Sequence, residues 1–199
     1  MFRYRLQTML AWVSCAVALA FAGSAPAAQE EFSSANRQQG RAAVEYRDAD
    51  IHIVAAYYHS QRNHDSRWLM IEAAMSTTGD TVIKRGDILL RTPDGREIPL
   101  ATQERVGEDV VQIQRLLQNA STVKHDVVAY FNQRDRAEPM QLFTLPFGDV
   151  VHDEFVTDRN HVAVGHLFFE SPRGLWDDGT YALVVRHEKG VARLPIRLE

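Results

Sequence analysis

From Tyr181 to Leu198 the side chains alternate with a period of two, and Lys189-Gly190 interrupts the run once. A helix repeats every 3.6 residues, so this stretch can only be extended chain. Tyr181, Leu183, Val185 and His187 share one side, and Ala182, Val184 and Arg186 the other. Beyond the turn, Leu194, Ile196 and Leu198 alternate with Pro195 and Arg197. The pattern predicts a β-hairpin with one face on a core. Pro195 has no N–H to give a ladder, which places the last strand at a sheet edge or beside a bulge.

Just upstream, Trp176, Asp177, Gly179 and Tyr181 precede the alternation. The Asp-x-Gly-x-Tyr spacing of Asp177, Gly179 and Tyr181 resembles the tyrosine corner of immunoglobulin-like and fibronectin-type sandwiches. There the tyrosine hydroxyl bonds back to backbone a few residues upstream. The resemblance implies a structural role for Trp176, Gly179 and Tyr181 and carries no activity.

The remaining pattern agrees with a mainly β chain. Ile51, Ile53, Ala55 and Tyr57 form one face of a strand, and His52, Val54, Ala56 and Tyr58 the other. Gln61–Ser66 reads as a polar loop, and "RWLMIEAAMST" as a strand apolar on both sides, closed by Thr78-Gly79-Asp80. Two strands flank Pro93-Asp94-Gly95, where proline fixes φ and glycine supplies a positive one. Further strands are predicted near Gln141–Leu145, Val150–Thr157, His161–Glu170, Thr180–Glu188 and Val191–Leu198. Between them, residues 102–133 break the β pattern. Val106, Val110, Ile113 and Leu117 lie on one stripe of an amphipathic helix, and Val123, Val127, Tyr130 and Phe131 give a second, shorter apolar stripe that fits either helix or strand. The expected fold is an immunoglobulin-like antiparallel β-sandwich over residues 43–199, with a helical insertion around 102–133.

The N-terminus reads as an address. Arg3 and Arg5 precede an apolar run from Met9 to Ala22, and Ala25-Pro26-Ala27 fits a small-x-small cleavage site. Residues 1–27 are expected to be a cleaved secretory signal, and the polar residues 28–42 a flexible leader. The expected location is periplasmic or secreted. The only cysteine, Cys15, falls inside the signal and not at a lipoprotein position. The processed chain therefore has no disulfide, thiol nucleophile or cysteine-type zinc site. Loss of Arg3 and Arg5 takes the formal net charge from −4 to −6, with the charges interspersed. Such a surface does not suit nucleic acid or anionic lipid. No later stretch is apolar enough to span a bilayer.

Chemistry is sparsely signalled. Of eight histidines, His59 and His64 bracket one loop, and His161 and His166 flank "VAVG". These four are the candidate metal ligands, since histidine and carboxylate suit a cysteine-free site. Residues five apart on a strand face opposite sides, so His161 and His166 need a bulge at Gly165 to meet. There is no His-x-His, no Gly-x-Ser-x-Gly and no glycine-rich phosphate loop. Ser121, His125 and Asp126 are neighbours in sequence, which is not triad geometry. Acidic pairs drawn from Asp149, Asp153, Glu154, Asp177 and Asp178 could serve a glycosidase only within a cleft. Tyr57, Tyr58 and Trp68, beside the insertion, are the candidate binding surface. The expected function is an exported, non-enzymatic binding or accessory module with no cofactor and with a protein or envelope component as partner. A periplasmic metal-binding protein using His and Asp ligands and an envelope-polymer hydrolase are the alternatives.

Overall fold

The computed structural model describes residues 32–62, 67–122, 125–145 and 150–199. The expected signal sequence and His64 lie outside them. The chain is mainly β, with twelve strands among the described residues. In order they are β1 (Asn36–Gln38), β2 (Ala43–Arg47), β3 (Ile51–Ala56), β4 (Trp68–Thr77), β5 (Thr81–Lys84) and β6 (Ile88–Arg91). There follow β7 (Glu97–Pro99), β8 (Arg136–Pro139), β9 (Glu154–Thr157), β10 (His161–Glu170), β11 (Gly179–His187) and β12 (Gly190–Leu198). The helices are α1 (Tyr58–Arg62), α2 (Gln103–Glu108) and α3 (Val110–Ala120).

A six-stranded sheet has the order β1-β2-β3-β4-β10-β8, and a four-stranded one β12-β11-β6-β7. β5 and β9 form a separate ribbon. One apolar core includes Ile53, Ile71, Leu167 and Phe169 of the larger sheet and Leu90, Leu183, Leu194 and Ile196 of the smaller. Each such side chain contributes about 1.5–3 kcal/mol when fully buried.

The C-terminal hairpin forms as its alternation requires, with Tyr181 opposite Ile196 and Leu183 opposite Leu194. β12 ends its sheet, so Pro195 sits on an edge strand. The Tyr181 hydroxyl donates to the backbone oxygen of Asp177 at 3.0 Å. Its ring meets Trp176 edge-on, with centroids 5.6 Å apart. Gly179 has φ +148°, and a Cβ there would stand 2.9 Å from Cγ of Pro93. The Pro93-Asp94-Gly95 turn joins β6 and β7 as expected, with Gly95 at φ +85°.

Four segments depart from the sequence reading. The flexible leader over 28–42 is wrong for its described C-terminal part, because Asn36–Gln38 pairs with β2 and Ala42 is buried. Polar side chains hold this edge: Asn36 Nδ2 donates to Arg193 O at 2.9 Å and Gln38 Nε2 to Ala43 O at 2.8 Å. The chain does not continue as strand through Tyr58 but turns into α1, where Ser60 accepts from Met70 N and donates to Met70 O. Residues 141–145 form no strand. Gln141 takes φ +51°, and the Arg85 guanidinium holds the carbonyls of Ala101 and Leu142, drawing the segment off an extended path. Finally, β8 pairs in parallel with β10, so the sheets are not wholly antiparallel. Pro139 is tolerated there because β8 is an edge strand.

The insertion is helical and lies on the outer face of the six-stranded sheet in two places. Val106 of α2 and Ile113 and Leu116 of α3 pack on Trp68, Met70 and Phe168. Val127, from a 3₁₀ turn over Val127–Tyr130, and Phe131 pack on Val54, Ala56, Ala74 and Val162. Arg105 clamps the first cap by two bonds to the Glu170 carboxylate, at 2.7 and 2.8 Å. Asp109, between α2 and α3, accepts from Trp68 Nε1 at 3.1 Å.

Candidate functional site

The two caps leave a gap over the middle of the sheet. Strand register places Ala56, Glu72 and His166 side by side across β3, β4 and β10. This row, with Met70, underlies a cavity of about 450 Å³. Tyr58 and His59 of α1 line it on one side, and Leu117, Ala120 and Ser121 at the end of α3 on another. His125 and Asp126, which lead into the second cap, complete the lining. Five separate stretches of chain thus converge.

Glu72 is the notable floor residue. Its neighbours in β4 are apolar, and no hydrogen bond or ion pair compensates its carboxylate among the described residues. Burial pushes its pKa up, and Asp126 adds to the effect. Asp126 holds its own place by capping the 3₁₀ turn, accepting from Val128 N at 3.1 Å and Ala129 N at 3.3 Å.

Burial lowers the pKa of His59, His125 and His166, so all three imidazoles favour the neutral form at pH 7. His166 is open to the cavity, yet protein crowds it enough to disfavour its charge. The His125 ring meets those of Tyr58 and Tyr130 at tilted angles of 39° and 31°, with centroids 5.0 and 5.6 Å away. Among the described residues its buried Nε2 has no hydrogen-bond partner, nor has the buried hydroxyl of Tyr57, another lining residue.

The structure redistributes the sequence candidates. His59 and His166 do line one cavity. His161 stands apart, bonded to Asp158 at 2.6 Å, which raises its pKa. The β10–β4 ladder runs unbroken from Ala163 to Glu170, so no bulge at Gly165 joins His161 to His166. Gly165 instead admits Met140, whose Cβ would lie 3.2 Å from an added methyl. No three His, Asp or Glu side chains among the described residues come close enough together to hold a metal ion.

Tyr57 is 1% exposed and Trp68 3%, so both are core residues and neither offers the exposed candidate surface. Of that trio Tyr57 and Tyr58 line the cavity, Tyr58 by a half-buried ring, and Trp68 does not. Ser121, His125 and Asp126 share the cavity but form no triad. Ser121 Oγ donates to Gln118 O at 2.6 Å and Asp126 serves its cap.

Sequence reasoning missed Glu72. Its signal was available: a lone carboxylate in "LMIEAAM", an otherwise apolar strand. No helix among the described residues is long and apolar enough to cross a membrane. No protein-family model, curated protein or solved structure matches the chain.

Proposed function

We propose that the protein is an exported, non-enzymatic binding module, built on an immunoglobulin-like β-sandwich, whose ligand enters the cavity between the two helical caps. The sandwich reading is supported by the core shared between the two larger sheets and by the Tyr181 corner. The export reading rests on the N-terminal sequence pattern and places the protein in the periplasm or outside the cell.

One observation carries the binding role: an uncompensated carboxylate, Glu72, on the floor of a cavity of about 450 Å³. A carboxylate costs free energy when removed from water without a partner. A core position would ordinarily be apolar, and Ala74 two residues along the same face is. A concave, mostly apolar site with a few convergent polar groups is the usual form of a small-ligand pocket.

The test uses the protein expressed from its full-length sequence with a C-terminal tag, and small-molecule extracts of its own cell envelope. A bound ligand at a hundred times its dissociation constant adds about 2.7 kcal/mol, a Tm rise of roughly 5–10 °C for a chain of this size. Ala120→Trp, which fills the cavity from α3, should abolish the rise. An equal rise in wild type and A120W would place binding elsewhere.

A further inference from the structure

The binding reading above is the premise here. We infer that the pocket takes a cationic group, an ammonium or guanidinium, with its charge against Glu72 and Asp126 and its carbon chain against Tyr58 and His125.

Three independent features converge on this chemistry. The first is charge: the described lining residues include two carboxylates and no lysine or arginine. The second is the wall. The rings of Tyr58 and His125 line the cavity in tilted contact, with centroids 5.0 Å apart, and aromatic faces attract cations. The third is the pair of unsatisfied atoms. Among the described residues, His125 Nε2 and the Tyr57 hydroxyl are buried without partners, in residues that line the cavity. Neutral imidazole nitrogen and hydroxyl oxygen can both accept from an N–H donor, and an ammonium brings three such donors. An anion would meet Glu72 and Asp126 with like charge, and a neutral polyol could donate hydrogen bonds to Glu72 but would leave its charge unpaired.

The occupant is a single ammonium or guanidinium group with a short aliphatic stem, since the apolar lining of Met70, Leu117 and Ala120 suits methylenes. Free diamines, and the terminal amine or guanidine of a peptide side chain, share that chemistry.

The experiment titrates the full-length-expressed protein with 1,5-diaminopentane, agmatine, glutarate, 1,5-pentanediol and Zn²⁺. Amide and imidazole NMR shifts at Glu72, His125, His166 and Ser121 provide the readout. The amines should saturate these shifts and bind at least about tenfold more tightly than glutarate or the diol. Glu72→Gln should weaken the amines by about tenfold or more while keeping the spectrum of the folded protein. Tighter binding of glutarate or the diol at the same residues would overturn the cationic assignment and leave the pocket as a binding site. Saturation by Zn²⁺ with no amine response would replace it with a metal site. If no probe and no envelope extract perturbs these residues, the pocket reading itself fails.

Discussion

Replacing Tyr181 by Phe removes one oxygen and nothing else from the most legible part of the fold. The Tyr181 side chain is 3% exposed, and its hydroxyl donates to Asp177 O at 3.0 Å. A neutral hydrogen bond of this kind contributes about 0.5–1.5 kcal/mol net. The acceptor belongs to an exposed residue, so water can partly replace the lost donor, and Y181F should cost about 1 kcal/mol. For a chain of this size that is a fall in Tm of about 2–4 °C. Tyr181→Ala removes the ring as well. It loses the edge contact with Trp176, at 5.6 Å between centroids, and opens a cavity in the shared core. Its cost should be about 3–5 kcal/mol. Urea unfolding followed by Trp fluorescence and far-ultraviolet circular dichroism would separate the two. Y181F should shift the midpoint with an unchanged slope. If Y181F matches wild type, the corner bond contributes nothing. If Y181F is as damaged as Y181A, the hydroxyl anchors more than this one bond, and the reasoning fails.

Three further outcomes follow from the same contacts. Gly179→Ala should destabilise by more than about 1 kcal/mol, because φ +148° disfavours any Cβ and Pro93 Cγ would lie 2.9 Å from it; calorimetry would measure this. Phe131→Ala should cost about 3 kcal/mol by loosening the second cap from the sheet, where its ring lies 4.2 Å from that of His52; a urea midpoint close to wild type would show that the cap contributes little. Burial raises the Glu72 pKa above 4.5, so the folded state holds that proton more tightly than the unfolded chain. The stability this confers is full below pH 4.5 and lost as pH rises through the folded value. In ligand-free protein, Glu72→Gln should therefore be the more stable at pH 7, and the gap should close below pH 4.5; a gap independent of pH would show that Glu72 is well solvated.

Local order was legible where the cause is local. The hairpin, the Pro93-Asp94-Gly95 turn, the edge position of Pro195 and the helical character of 102–133 each follow from a period or a special residue. What escaped was set by distant partners. β1 looks like a linker because its hold on the sheet is through Asn36 and Gln38, which satisfy backbone oxygens instead of burying apolar surface. Residues 141–145 look like a strand until Arg85, over fifty positions earlier, claims the Leu142 carbonyl. The short strand β8 has no alternation of its own and exists by pairing with β10.

The candidate site was less legible still. His59, Glu72, His125 and His166 have no meaningful spacing along the chain, since strand register and two helical caps bring them together. The predicted apolar stripe meets the sheet through Val106 of α2 and Ile113 of α3, but nothing in it announced that the insertion would cover the sheet in two pieces. That division creates the cavity and leaves Glu72 beneath it.

Native mass spectrometry of the tagged protein, isolated gently from its own host cells as wild type and as A120W, is the measurement to make first. A cavity that serves a ligand predicts a single additional mass at one-to-one stoichiometry in wild type, absent from A120W. The bare chain mass in both, or the same adduct in both, would contradict a ligand held between the caps.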